Sequence, residues 1–169
     1  ELLWRWVQDS KFHDNHDNAA IEVFNIIGYG KIATSPILAL PLKLIMEEDV
    51  VVETRDQLLF KSFELINSLK FSYQIPKRPS FLLSGLSVKE QMHEILKDLE
   101  SQHIISGYDV DIGLHLADVL SGGANSEPTS LSEQDLYDLE RQSLIKLIQS
   151  HKTRDRIHAM LSTGRRIKN

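Results

Sequence analysis

The chain has no cysteine, which excludes disulfides, thiolate nucleophiles, and zinc or iron–sulfur sites built on thiolates. Aromatic residues are few, 7% of the total, and none lies between Arg141 and Asn169, so that basic stretch has no platform on which bases could stack. No run approaches the ~20 uncharged apolar residues of a membrane span, and the first thirty residues lack the order of a signal peptide. These absences lead to the expectation of a cytoplasmic chain with no membrane span and no nucleic-acid partner. At 169 residues, 41% hydrophobic and 25% charged, the composition is that of an ordinary globular chain. A chain of this length buries roughly two thirds of its unfolded surface.

Acidic residues are scarce toward the C-terminal end of the sequence. From Arg141 onward stand eight cations (Arg141, Lys146, Lys152, Arg154, Arg156, Arg165, Arg166 and Lys168) against the single acid Asp155, a net of +7. The first 140 residues therefore carry −12 of the overall −5. Such asymmetry suits a solvated final helix balanced by an acidic body, a docking surface for an acidic neighbour, or a phosphorylated ligand.

Apolar spacing is helical nearly throughout. Ala19, Ala20, Val23, Phe24 and Ile27 form one stripe, Leu58, Leu59, Phe63 and Ile66 a second, and Val88, Met92, Ile95, Leu96 and Leu99 a third. Ile112, Leu116, Val119 and Leu120 repeat the pattern, as do Ile157, Met160 and Leu161. In the segment from Leu131 to Ile148, apolar residues cover about half the helix circumference, which predicts a well-buried helix. Only Val50 to Val52 reads as a strand. The fold class expected is mainly α, with at most one short strand near 50–52.

Punctuation agrees with this reading. Ser87 with Glu90, and Ser130 with Glu133, have capping-box spacing. Ser35 followed by Pro36 is a cap before a proline at the first helical position. Gly122 and Gly123 supply a left-handed stop, and Ala124 to Thr129 is a loop. A second loop runs from Tyr73 to Gly85.

The chemistry is thin. HDNHDN at residues 13–18 offers two histidines, His13 and His16, with carboxylates beside them, a pattern open to a metal ion as in the metal-dependent HD-type phosphohydrolases. The same letters before Ala19 form a polar entrance to a helix, with Asp17 or Asn18 as the cap; this is the favoured role. Gly28, Gly30 and Lys31 lack phosphate-loop spacing and read as the glycine end of a helix. His115 reads as a satisfied core or boundary histidine, and His93 as solvent-facing. His151 and His158 lie in the basic end, and Asp109 and Asp111 read as helix caps. By physics alone no residue is assigned a catalytic, cofactor-binding or metal-binding role.

Resemblance adds what spacing leaves blank. Residues 106–123 read SGYDVDIGLHLADVLSGG, residues 131–148 LSEQDLYDLERQSLIKLI, and residues 152–169 KTRDRIHAMLSTGRRIKN. Together, with Leu139, Glu140 and Arg141 as a triplet and Met160 and Leu161 in the close, they resemble the C-terminal end of the bacterial fused 3-hydroxyacyl-CoA dehydrogenase/enoyl-CoA hydratase (crotonase-like) proteins of fatty-acid β-oxidation. Phe24 to Ser35 is similar to that family's helix and turn after the crotonase core, and Glu1 to Arg5 to the helix after its active-site loop. Pro36, Pro41 and Lys43 depart from the family's pattern.

The resemblance implies that residues 1–169 are a helical C-terminal fragment. Residues 1–72 would be post-core helices, 73–86 a loop, and 87–169 a C-terminal helical subdomain. The parent would hydrate 2-enoyl-CoA and oxidise 3-hydroxyacyl-CoA with NAD. Its catalytic groups would precede Glu1, leaving this fragment inactive alone, without a cofactor of its own, and covering the acyl-CoA site. Partners implied are the rest of the parent, an acyl-CoA substrate, a thiolase subunit, and other copies through exposed apolar surface. Two other readings are a free-standing helical protein-interaction module and the HD-type phosphohydrolase.

Overall fold

A computed structural model describes all residues from Glu1 to Asn169. It contains α1 (Leu2–Val7), α2 (His16–Gly28), α3 (Pro36–Ala39), α4 (Leu58–Leu69), β1 (Ser80–Leu83), α5 (Leu86–Ser101), α6 (Gly107–Leu120), β2 (Thr129–Ser132), α7 (Glu133–Gln149) and α8 (His151–Thr163). The fold is mainly α, as expected. No helix is long and apolar enough to cross a membrane.

The strands fall elsewhere than expected. Val50 to Val52 is irregular, whereas β1 lies inside the stretch expected to be loop and pairs antiparallel with β2, Phe81 opposite Leu131 and Leu83 opposite Thr129. Three β-branched residues give extended propensity but no pairing edge. Ser80 to Leu83 acquires a partner together with a buried alternate face, Phe81 and Leu83.

Chain contacts divide the protein into two units, Glu1–Lys31 with Pro79–Asn169, and Ile32–Arg78. This differs from a boundary at residues 72/73, because the first two helices pack with the C-terminal half. The core of the first unit is built from Leu3 and Val7 of α1, Ala19, Ala20, Val23 and Phe24 of α2, the β1 pair, Val88, Met92 and Leu96 of α5, and Val110, Ala117 and Leu120 of α6. The i, i+4, i+8 spacing of Val88, Met92 and Leu96 puts all three on the inner side of α5. The second unit has few buried residues: α4 has none, and Phe60, Phe63 and Ile66 stay 58–62% exposed. The α7 segment, expected to be well buried, has Ser143 as its single buried residue, with Tyr137, Leu144, Ile145 and Ile148 exposed.

Caps shift by one or two residues. Asn15, not Asp17 or Asn18, caps α2 by accepting from the Asn18 N–H at 3.0 Å. Ser132 with Asp135, not Ser130 with Glu133, forms the capping box of α7, because Ser130 is taken into β2. The N-cap of α5 is Gly85, and Ser87 sits inside the helix. Gly85 has φ +52° and its backbone lies against the Asn125 carbonyl, where a Cβ would collide; a side chain is excluded on both counts. Ser35 caps α3 as expected.

His16 and Asp17 have a role that spacing concealed. The Leu82 N–H donates to His16 Nδ1 at 2.9 Å, and the Ser84 N–H and hydroxyl donate to the two oxygens of Asp17 at 2.9 and 2.5 Å. Residues 82 and 84 are two apart, so their N–H groups leave the same edge of β1, the edge away from β2. Side chains from the first turn of α2 thus satisfy donors that a third strand would otherwise satisfy. Hydrogen bonds to a charged acceptor contribute about 1.5–3 kcal/mol each. Asp17→Ala should therefore lower the urea-unfolding free energy by about 2 kcal/mol or more, whereas Asp14→Ala, fully exposed beside His13, should change it by less than about 0.5 kcal/mol. Equal effects would mean that both acids serve only the helix entrance.

Candidate functional site

Four apolar faces converge in the first unit around a cavity of about 590 Å³. From α2 come Phe24, Ile27 and Gly28; from α5, Ile95 and Leu99 beside Leu96; from α6, Asp109, Ile112, Gly113 and Leu116; and from α8, Arg156 and Met160. Each set has i, i+3, i+4 or i+7 spacing, so one stripe of each helix faces the cavity. Residues Arg166, Ile167 and Lys168 complete the wall. They arrive there because Gly164 ends α8 in the left-handed region at φ +67°, its N–H donating to the Met160 carbonyl at 2.9 Å and turning the chain back along the helix. Ile27, Tyr29, Ile104, Met160 and Ile167 on the walls remain 39–54% exposed, so the cavity opens to solvent.

A polar network fixes this corner. Asp109 is the third residue of α6 and closes a capping box with Ser106, whose N–H and hydroxyl donate to one carboxylate oxygen at 2.8 and 2.7 Å. The other oxygen accepts from Arg156 Nη1 at 2.5 Å. Arg156 also donates to the Ser106 hydroxyl at 3.3 Å and to Asn169 Oδ1 at 2.7 Å, and its guanidinium lies 5.0 Å from the Tyr108 ring centre. Asn169 in turn donates to the Lys152 carbonyl at 3.1 Å. A single arginine therefore joins the start of α6, the middle of α8 and the last residue. Burial pushes the Asp109 carboxyl upward, but the Arg156 guanidinium and the Ser106 donors outweigh it and hold the group below its ordinary range.

The residues singled out from sequence scatter around this frame. His13 and Asp14 are exposed, and His16 and Asp17 serve β1. Among the described residues no cluster of three or more His, Asp or Glu has metal-site geometry. Gly28 and Gly30 end α2, with Gly30 at φ +59°. His93 is half-buried and His151 and His158 are exposed. His115 is half-buried, but its Nδ1 is enclosed with no hydrogen-bond partner, so it is not the satisfied histidine expected. It borders a second recess of about 330 Å³ shared with Tyr108, Asp111 and Lys146. Arg156 and Asn169 were invisible as site residues, because Asp109, the partner of Arg156, stands 47 positions before it, Asn169 meets Arg156 from 13 positions beyond, and no local pattern links them.

A mainly α unit with one amphiphilic cavity is thus the class that fold and site define. One curated relative, a probable 3-hydroxyacyl-CoA dehydrogenase of Bacillus subtilis (strain 168), is 26% identical over 157 residues, covering 91% of this chain. The chain spans 20% of that protein's length. No family model and no solved structure matches the chain.

The Asp109 network predicts a pH dependence of defined sign. A carboxyl whose folded value lies below its unfolded one stabilises the fold above the ordinary aspartate range, near 3.8. That contribution is lost as pH falls through the lowered folded value, where the native state also takes up the proton. Asp109→Asn should therefore be less stable than the parent chain at neutral pH, and the gap measured by urea unfolding should close in acid. A gap constant across that range would show that the charge of Asp109 plays no part.

Proposed function

We propose that the chain is a non-catalytic, C-terminal region of a fatty-acid β-oxidation enzyme whose larger body oxidises 3-hydroxyacyl-CoA with NAD. The observation that carries this reading is the alignment of 91% of the chain with a fifth of a probable 3-hydroxyacyl-CoA dehydrogenase. The resemblance of residues 106–169 to the fused family extends the proposal to a crotonase-like hydratase in the same parent. In such a parent the oxyanion of the thioester enolate would be stabilised by N–H groups of the hydratase body, and this region would cover the acyl-CoA site and make subunit or domain contacts.

The surface of the chain supports that role. Phe71, Ile75, Ile32 and Leu161 are 81–90% exposed, and α4 presents Leu58, Leu59, Phe60, Phe63 and Ile66 outward. Exposed apolar surface on this scale marks an interaction face. The rest of the parent, a further copy, or a thiolase subunit would meet it.

The test is to purify the protein from its natural source and measure both its mass and its NAD reduction with a 3-hydroxyacyl-CoA. The expected result is a polypeptide several times longer than 169 residues that reduces NAD, while the isolated chain does not. A native polypeptide of this length, inert toward the thioester, would overturn the proposal.

A further inference from the structure

We infer that the large cavity of the first unit is a binding site for the anion of a medium-chain fatty acid, its tail among the helices and its carboxylate at Arg166 and Lys168. This site is assigned by the chain itself and does not depend on the identity of the parent.

Three observations converge. The cavity, about 590 Å³, falls within the range of roughly 300–1,000 Å³ typical of small-molecule sites. Its walls are apolar side chains from four helical stripes, among them Ile27, Ile112 and Met160, with open exposure at the mouth. Water against such a surface is released favourably by an alkyl chain, and the gain grows with each methylene buried.

The charges select the head group. Asp109, the single acidic side chain on the lining, is paired with Arg156 at 2.5 Å, and Arg156 is further occupied by the Asn169 side chain at 2.7 Å and its main-chain oxygen at 3.5 Å, so Arg156 is not free to bind a ligand anion. Arg166 and Lys168 form no ion pair and leave the mouth cationic. A guanidinium donates two parallel hydrogen bonds to a carboxylate, and the neighbouring ammonium adds a point charge. An uncharged amphiphile would forgo this contribution, and a cationic one would be repelled.

The walls also supply a clean plug. Gly28 lines the cavity, has ordinary helical backbone, and has nothing within 4 Å of where a Cβ would stand. Gly28→Leu adds bulk there with no strain on the fold, and Arg166→Gln with Lys168→Gln removes charge from exposed positions that hold no other element in place.

The experiment is calorimetric titration of the 169-residue chain with dodecanoate below its micellar range, with dodecanol and dodecyltrimethylammonium as neutral and cationic counterparts. Expected are saturable binding of one dodecanoate, a loss of about tenfold or more in Gly28→Leu, and a loss of about fivefold in the double glutamine variant that dodecanol does not share. Circular dichroism confirms that each variant keeps its helices. The inference is overturned by non-saturable uptake, by equal affinity for the cationic amphiphile, or by undiminished binding in Gly28→Leu. It is equally overturned if dodecanoyl-CoA binds saturably and dodecanoate does not, since the head recognised would then be a phosphate carrier.

Discussion

The hydrogen bonds from β1 to His16 and Asp17 are the constraint on which the rest of the first unit depends. They connect residues 66 and 67 positions apart, and the entropy cost of closing so long a loop is offset in part by this exposed-to-partly-buried set of hydrogen bonds. Without them the outer edge of a four-residue strand would be left open beside the core, and a two-stranded ribbon alone is marginal in water. With them, α2 lies against the ribbon, Phe81 and Leu83 enter the core beside Val23 and Val88, and the chain leaves and re-enters the same unit around residues 32–78.

A second long-range junction then shapes the opposite end. Arg156 binds the start of α6 and the last residue of the chain together, which sets α8 and its returning tail beside α2, α5 and α6. Partly buried ion pairs contribute stability only when their hydrogen bonds are complete, and here the carboxylate and guanidinium are both shared with Ser106 or Asn169. The result is a rigid frame around an apolar space.

Helices were legible in the sequence because their apolar residues recur at helical intervals, and the element types at α2, α4, α5, α6 and α8 follow directly from those stripes. What was not legible depends on distance along the chain. Ser80 to Leu83 has four letters and no turn signal of its own; only pairing with Thr129 to Ser132 makes it a strand. HDNHDN was read as a helix entrance, and it is one, yet Asp17 spends its oxygens on Ser84, a partner that no local rule supplies. The α7 stripe was read as burial, whereas Leu144 and Ile148 face outward: periodicity shows that a helix has an apolar face, not that this chain covers it. The cavity was illegible for the same reason, since each wall looked like an ordinary core stripe until the four were brought together.

The most direct measurement is native-state hydrogen exchange at individual amides. If the two junctions make residues 1–31 and 79–169 one cooperative unit, the amides of Leu82 and Ser84 should exchange as slowly as those of Val23 in α2 and Ala117 in α6, with a common dependence on denaturant. Rapid exchange at Leu82 and Ser84, while α2 and α6 stay protected, would show that His16 and Asp17 do not hold the ribbon and would contradict the account.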